Sequence, residues 1–293
     1  MKLAISGENL GHTDDLELIC RVLQSHNVRY LELWPQNCEP NGEKATHPRT
    51  YQHRDLERAK AILQEYNITV CCVSYPGALD KELAKDSKRF SLELERTVEA
   101  AHFFGAGIVN TYCHLISQSD QVEPSVLEKY YRRGIVRAQE LGVVITLENE
   151  AHDMVRTPER MRRAISHCNS TCFKTNFDAT NYYQASCEAY PLGYEILKGD
   201  IAYVHIKNGR LYDERFCRQK EWLGGELNGL QAPGNIYYTL AEEGSVNICG
   251  LLLSLHRDGY CGYCTLEPHT TREEILKYYG PELAYLRKIP VFE

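Results

Sequence analysis

Short runs of β-branched and aromatic residues alternate along the chain with longer stretches in which apolar residues recur at helical spacing. The first such stretch places Leu16, Ile19 and Leu23 on one helical face. The strand-like runs begin at Leu3, Tyr30, Thr69, Ile108, Val143, Cys172, Ile201 and Tyr263. These strand-then-helix units predict an α/β fold, a (β/α)8 barrel wrapped in helices, because a doubly wound sheet usually has fewer units.

The ends of the predicted helices carry suitable capping residues. Thr157, followed by Pro158, is predicted to cap the helix after the fifth strand, and Gly105 and Gly142 stand where two other helices should end. No linker, charge block or short-period repeat interrupts the series. We therefore expect a single barrel domain over residues 1–293.

Two segments are long for barrel loops, namely residues 35–51 after the second strand and residues 208–244 after the seventh. Both would follow the carboxyl ends of strands, which is the face where barrels bind substrate. Loops of this length are commonly lids or binding loops. Packing against another subunit is an equal alternative.

Composition excludes some classes of function. The 293 residues are 43% hydrophobic, and 40 acidic against 33 basic residues give a net charge of −7. This balance supplies no bulk positive field for nucleic acid or anionic lipid, and no apolar run is long enough for a signal peptide or a membrane span. We expect a cytoplasmic protein with no nucleic-acid or membrane partner.

The twelve cysteines are expected to be thiols in a reducing compartment. Cys261 and Cys264 form a C-x-x-C pair, but no second pair accompanies them as a zinc ribbon would require. Both are therefore predicted to be core thiols.

Each of the last four predicted strands places an acidic or imidazole side chain near its carboxyl end: Glu148, Asp178, His205 and Glu267. Three carboxylates converging in a barrel would raise one another's pKa sharply unless a cation joins them. Three oxygen ligands and one imidazole, without thiolate, favour Mn²⁺ or Mg²⁺, with Co²⁺ or Zn²⁺ possible. The sequence thus predicts a divalent metal site at the mouth of the barrel.

The motifs around these residues are LENE, NFDATN, HIK and LEPH, in this order. Together they resemble the sugar phosphate isomerase/epimerase family of the xylose isomerase-like TIM barrel superfamily, which includes ketose 3-epimerases. The resemblance covers nearly the whole chain. It implies a (β/α)8 TIM barrel in which Glu148, Asp178, His205 and Glu267 bind a divalent metal, often manganese.

A metal with open positions can hold the carbonyl and a neighbouring hydroxyl of a sugar and acidify the adjacent C–H bond. The resemblance further implies that Glu148 and Glu267 act as acid and base on opposite faces of the substrate carbon. His152 lies close enough in sequence to Glu148 to transfer a proton or to support that ligand.

Further residues are candidate substrate contacts. Lys207 follows His205 by two residues and so shares its side of the strand, where it could stabilise an oxyanion or pair with a rim carboxylate. His114 is a rim candidate on strand four, and His269, two residues beyond Glu267, is expected to support that ligand.

Two strand-end residues and one arginine complete the candidate contacts. Glu32 and Trp34 end strand two, where related enzymes contact sugar, although core packing explains Trp34 equally well. Arg210 stands where epimerases carry a substrate-contacting arginine, in a pattern that does not match cleanly.

The leading hypothesis is a metal-dependent isomerase or epimerase acting on a small carbohydrate. The long segment with Trp222, Tyr237 and Tyr238 favours a neighbouring possibility, a C-glycoside deglycosidase that cleaves 3-oxo-glycosides by elimination in complex with a smaller subunit; otherwise a homo-oligomer is expected. An apurinic endonuclease is disfavoured because Asn181 stands where that family has histidine. A binding barrel without catalysis is the remaining alternative.

Overall fold

The computed structural model describes residues 1–8, 16–38, 50–51, 53–117, 122–211, 227–228, 236–269 and 275–293. Eight parallel strands close into a barrel, in which each strand pairs with its neighbour along the chain and the last strand, β11, pairs with β1. The barrel strands are β1 (Lys2–Ser6), β2 (Tyr30–Leu33), β3 (Thr69–Tyr75), β4 (Ile108–Thr111), β5 (Val144–Glu148), β6 (Phe173–Asp178), β7 (Ile201–Ile206) and β11 (Tyr263–Leu266). The predicted (β/α)8 class is confirmed.

Helices follow the strands and cover the barrel. They are α1 (Leu16–Ser25), α2 (Pro35–Cys38), α3 (His53–Glu65), α4 (Lys81–Lys85), α5 (Ser87–Phe104), α6 (Glu128–Leu141), α7 (Pro158–Cys168), α8 (Ala179–Gln184), α9 (Tyr194–Leu197), α10 (Ile248–Arg257) and α11 (Ile275–Leu286). The predicted caps are present: Thr157 accepts a hydrogen bond from the Arg160 amide, and Gly105 and Gly142 end α5 and α6 with φ of +74° and +68°.

The barrel interior changes character along its axis. Toward the amino ends of the strands it is filled by Ala4, Cys71, Cys72, Ile108 and Tyr203. Toward the carboxyl ends the buried side chains become polar and acidic. The polar residues near the carboxyl ends therefore pack against a layer of mainly apolar side chains, since parallel barrels are filled by layers of side chains.

A bulge in β7 lies directly below the site. Thr175 of β6 pairs with Ile201, whereas Asn176 pairs with Tyr203, so β7 carries one additional residue before Tyr203. Because side chains alternate along a strand, Tyr203 and His205 point to the same side. Bulges commonly aim a side chain next to an active site.

The segment 208–244, predicted as a long loop, instead contains strands. Asn208–Leu211 (β8), Leu227–Asn228 (β9) and Ile236–Thr239 (β10) form a three-stranded antiparallel sheet in the order β8-β10-β9. Residues 212–226 and 229–235, with Trp222, lie outside the described residues, as do residues 39–49 of the other long segment.

The cysteines among the described residues are free thiols. Cys264 is buried as predicted, but Cys261 is exposed, because it precedes β11 and lies outside the packed strand. The prediction of a core thiol at Cys261 was therefore wrong. Within the ranges that the structure describes, no helix is both long and apolar enough to cross a membrane.

Candidate metal centre

Four side chains meet at the mouth of the barrel, from β5, β6 and β7 and from the residue that follows β11. They are Glu148, Asp178, His205 and Glu267. One ligand atom of each lies within 4.8 Å of the others, and all four residues are buried. Residues that are up to 119 positions apart in sequence thus form one compact group of three carboxylates and an imidazole.

Asp178 is oriented by contacts on both sides of its carboxylate. Its Oδ1 atom accepts a hydrogen bond of 2.8 Å from the Asn181 amide and caps α8. The side chain of Asn149 pairs with the backbone N–H and carbonyl of Asp178, at 3.0 and 2.9 Å. Oδ2 is buried and accepts no hydrogen bond, although Lys207 Nζ lies 2.9 Å away. One oxygen is therefore used for structure and the other faces the centre.

The His205 ring is held from below by Glu32. His205 Nε2 lies 2.7 Å from Glu32 Oε2, and both side chains are fully buried. Because Nε2 donates its proton to Glu32, a metal ion that displaces the Nδ1 proton would meet the Nδ1 lone pair at the centre of the group. Nδ1 is buried, makes no hydrogen bond, and lies 3.2 Å from Glu148 Oε2 and 3.1 Å from Glu267 Oε2.

Burial lowers the pKa of His205, but the carboxylates of Glu148, Glu267 and Glu32 outweigh burial and raise it well above its usual value. This direction reflects the density of negative charge around the ring. A cation would be stabilised by the same charge.

Glu148 is oriented by amide groups. Asn110 and Asn176 each donate a hydrogen bond of 2.9 Å to its Oε2 atom, and Asn181 donates one of 3.4 Å to Oε1. These donors hold the carboxylate without neutralising its charge. Asn181 also donates to the backbone carbonyl of Asn149, so the residue that replaces the endonuclease histidine is part of the scaffold of this site.

The residues present fit a divalent cation. His205 Nδ1 is buried without a hydrogen bond, whereas Asp178 Oδ2 contacts the Lys207 ammonium at 2.9 Å; both atoms belong to the group of four. Buried polar atoms are normally satisfied, and an exception calls for an ion or another unseen partner. Three carboxylate oxygens and one imidazole nitrogen are ligands that Mg²⁺, Mn²⁺ and Zn²⁺ accept.

Lys207 supplies the positive charge next to this group. Its Nζ lies 3.0 Å from Glu267 Oε2 and 3.2 Å from His269 Nε2. Burial lowers the pKa of Lys207, but Asp178, Glu267 and Glu148 outweigh burial and raise it well above its usual value. Glu8, Glu267 and His269 also lie close enough together to hold an ion. Because the ammonium already contacts two of these three, we assign no second metal to them.

A pocket with a cavity volume of about 80 Å³ opens on Glu148 and Glu267 of the group of four. Its lining residues are Glu8, Leu79, Tyr112, Glu148, Glu150, His152, Asn181, Gln184, Lys207, Tyr238, Glu267 and His269. Burial, and after it the charge of Glu267, raises the pKa of Glu8 to about 8. Burial and the neighbouring Glu148 raise the pKa of Glu150 well above its usual value. The pocket is therefore rich in carboxyl groups.

The comparisons with known proteins agree with this architecture. The model of the family described as xylose isomerase-like TIM barrel matches residues 20–289. The chain belongs to this family. No curated protein matches the chain in sequence.

Several solved structures of similar fold cover nearly the whole chain. The probable 3-DHS dehydratase AsbF, involved in petrobactin synthesis in Bacillus anthracis, is 17% identical, with a TM-score of 0.70 over 98% of this chain and 99% of that one. The 3-keto-D-glucoside 4-epimerase YcjR from E. coli is 17% identical, with a TM-score of 0.66 over 98% and 99%. The IolI protein with a bound zinc atom is 15% identical, with a TM-score of 0.69 over 99% of each chain. At these identities the likeness shows the fold alone.

Within this xylose isomerase-like barrel, the predicted site residues fall into two sets. His152, Lys207 and His269 line the pocket together with Glu148 and Glu267. The ion pair of Lys207 with rim carboxylates, which the sequence left open beside oxyanion binding, is present.

The other candidate contacts do not line the pocket. Glu32 is fully buried against His205, and Trp34 is buried with its indole N–H donating to Ser6 Oγ at 3.2 Å. His114 has its ring centroid 6.2 Å from that of His152, and Arg210 donates to the backbone carbonyl of Glu243. Trp34 thus takes the core position that was its alternative.

Sequence reasoning missed five pocket residues: Glu8, Leu79, Tyr112, Glu150 and Gln184. Glu8 follows β1 as Glu267 follows β11, so the rule of a carboxylate just after a strand would have found it. Glu150 stands two residues beyond Glu148 in the same LENE motif. Tyr238, which the sequence analysis named in the long segment, reaches the pocket from the additional sheet, and its ring stacks on His269 at 4.5 Å.

Proposed function

We propose that this xylose isomerase-like barrel is a divalent-metal-dependent enzyme that removes a proton α to the carbonyl of a sugar or keto-sugar, with isomerisation or epimerisation as the outcome. One observation carries the proposal: three carboxylates and His205 converge in a buried group in which His205 Nδ1 makes no hydrogen bond. Mn²⁺ is the expected metal, with Mg²⁺, Co²⁺ or Zn²⁺ as alternatives.

Glu148, Asp178, His205 and Glu267 would hold the metal. When bound, a divalent cation polarises a carbonyl oxygen and so acidifies the C–H bond beside it. The pocket beside these residues is lined by carboxyl, imidazole and amide side chains, which suit the hydroxyl groups of a small polyhydroxylated molecule. His205 is fixed in place by Glu32, so the imidazole contributes a rigid ligand and not a mobile base.

Proton transfer is assigned to Glu148 and Glu267. Their carboxylates come from β5 and from the end of β11, with β6 and β7 between those strands, and both line the pocket. A substrate carbon held between them would meet one carboxylate on each side, so one can take the proton and the other can return one. His152, which lines the same pocket, is placed to exchange protons with solvent.

The decisive experiment measures exchange of the substrate C–H with solvent deuterium. Metal-loaded protein is incubated in D₂O with a panel of ketoses and 3-oxo-glycosides, and incorporation is followed by NMR. We expect incorporation at the carbon next to the carbonyl, lost in Glu267→Gln and in Glu148→Gln and kept in the exposed control Glu65→Gln. Exchange that survives both active-site substitutions would contradict the proposal.

Elimination is the second candidate, and Tyr238 is the observation that favours it. Its ring, stacked on His269, forms part of the pocket wall and could lie against an aromatic aglycone. The enolate left by removal of the α proton would then expel a leaving group β to the carbonyl. Release of the aglycone from a 3-oxo-glycoside, alone or with a smaller partner subunit, would support elimination over epimerisation.

A further inference from the structure

The carboxamide of Gln184 lies in the wall of the pocket without a partner for its N–H groups. The residue is 2% exposed, and its Nε2 atom is buried and makes no hydrogen bond. Among the described residues that line the pocket, Gln184 is the one with a buried atom of this kind. Buried polar groups are normally satisfied, so this donor calls for an acceptor that a ligand or a water molecule supplies.

The asparagine amides of the site are used differently. Three of them donate hydrogen bonds to the carboxylate of Glu148, namely Asn110, Asn176 and Asn181. The Gln184 amide orients no carboxylate. An N–H group offers no lone pair to a metal ion, so the cation proposed for the group of four would leave this donor unpaired. The missing partner is therefore an oxygen acceptor and not a metal.

Helix α8 anchors Gln184 beside the group of four. Asp178 caps the helix by accepting a hydrogen bond of 2.8 Å from the Asn181 amide. The Asn181 side chain donates to Glu148 Oε1 at 3.4 Å and to the Asn149 carbonyl at 2.9 Å. Gln184 follows Asn181 by three residues, so both side chains lie on one face of the helix, and both line the pocket. A donor on such an element is placed more precisely than one on a loop.

Resting on the function proposed above, we propose that Gln184 is a specificity residue, whose Nε2 donates a hydrogen bond to one hydroxyl oxygen of the bound substrate. The position of α8 then sets which hydroxyl group the pocket recognises. A buried donor left without its acceptor is costly, so a site of this kind discriminates against an analogue that lacks the oxygen. Gln184 neither holds the metal nor transfers the proton.

Gln184→Met keeps the length of the side chain and removes the donor. In the ligand-free protein, we expect the melting temperature of this variant to be at least as high as that of the parent chain. The physical reason is that an apolar group replaces an unpaired buried amide. A residue that serves only the fold would show the opposite, so a lower melting temperature of the variant would contradict the proposal.

Binding is then measured by calorimetry on metal-loaded parent chain and variant. The ligands are the D-ketohexoses and the derivatives of the tightest binder that each lack one hydroxyl group. We expect Gln184→Met to weaken binding of the complete sugar about tenfold. It should leave the affinity for one deoxy sugar unchanged, because that sugar lacks the accepting oxygen. Gln64→Met, at an exposed position of α3, is the control and should change no affinity.

The inference is overturned if Gln184→Met binds the complete sugar as tightly as the parent chain, if it weakens binding of every deoxy sugar equally, or if no ketohexose binds the parent chain. Should the variant fail to fold, the side-chain amide of Gln184 is followed by NMR in the Mg²⁺-loaded parent chain with labelled glutamine nitrogen. The complete sugar should shift this resonance and one deoxy sugar should not; a resonance that no sugar shifts would contradict the contact.

Deuterium exchange in D₂O decides the proposed function separately. A sugar whose binding depends on Gln184 but whose C–H bond does not exchange would contradict the function and leave the contact intact. Exchange at the same rate in the parent chain and in Gln184→Met, with unchanged affinity, would contradict the contact and leave the function intact.

Discussion

Buried carboxyl groups occur in two regions of the molecule, and burial has opposite outcomes for Glu267 in one region and Glu282 in the other. At the barrel mouth, burial raises the pKa of Glu267, but His205 and Lys207 outweigh it and hold the pKa well below its usual value. On α11, Glu282 is equally buried and accepts hydrogen bonds only from the Ala241 amide among the described residues, and burial raises its pKa to about 8. Burial alone favours a neutral carboxyl group.

At Glu267, negative charge is therefore kept in spite of burial, whereas burial raises the pKa of the neighbouring Asp178 above its usual value. The surrounding donors are two cationic side chains and three asparagine amides, which orient the carboxylates and leave ligand atoms unused. A structural carboxyl group such as Glu282 needs no such surroundings. The difference supports the proposal that the group of four holds a cation.

The largest predicted effect is the loss of bound metal when the imidazole of His205 is removed. His205→Ala removes the Nδ1 ligand and leaves three carboxylates with one lysine, so we expect bound divalent metal to fall from about one ion per chain to none. Elemental analysis of protein purified without chelator measures it. His256→Ala, at an exposed position of α10, is the matched control. Full metal content in the His205 variant would show that the group is not the site.

Lys207→Met should mainly lower the stability of the metal-free protein. Removing one partner of a buried ion pair typically costs about 3–5 kcal/mol, because the other charge stays buried without compensation. Metal should restore most of that stability, since a cation can replace the ammonium beside Asp178 and Glu267. Thermal melting with and without metal measures the difference. Lys198→Met, at a partly exposed ion pair with Glu195, is the control, and equal effects in the two variants would contradict the assignment.

Glu32→Gln sharpens the comparison, because Glu32 is a buried carboxylate of the mouth that is not itself a ligand. It holds His205 Nε2 at 2.7 Å and also accepts from Tyr203 at 3.0 Å and from Ser74. Losing such a partner typically lowers metal affinity about 10- to 100-fold. Metal titration measures this, with Glu282→Gln as the control for loss of a buried carboxylate elsewhere. Unchanged affinity would make Glu32 a structural residue only.

Glu32 also illustrates what the sequence could and could not predict. The barrel and the convergence of Glu148, Asp178, His205 and Glu267, the proposed ligands, follow from strand periodicity and from one rule, that a polar residue ends a strand. Glu32 obeys that rule but contacts His205, 173 residues away, across the barrel, and not a substrate. A position at the end of a strand predicts that a side chain lies at the mouth of the barrel. Which residue it contacts there depends on its rotamer and on the bulge in β7, and hydrophobic periodicity predicts neither.

The smallest predicted effect concerns Glu282 and the dependence of stability on pH. Its pKa is about 8 in the folded protein, above the value of 4.5 for a free glutamate. The folded state therefore binds this proton more tightly than the unfolded state, so the stabilisation is complete below about pH 4.5 and is lost as the pH rises through 8. One such group changes the free energy of unfolding by at most about 1.4 kcal/mol per pH unit. Glu282→Gln keeps an acceptor for the Ala241 amide and cannot ionise.

Between pH 5 and pH 8.5, we expect the melting temperature of the Glu282→Gln variant to fall less than that of the parent chain. The difference should be a few degrees over this range. Glu242 and Glu243, which raise the pKa further, act in the same direction and remain in both proteins. Part of the slope should persist, because burial also raises the pKa of Asp153 to about 7. If melting temperature depends on pH in the same way in both proteins, Glu282 is ionised in the folded state. The contrast between Glu282 and Glu267 would then not hold.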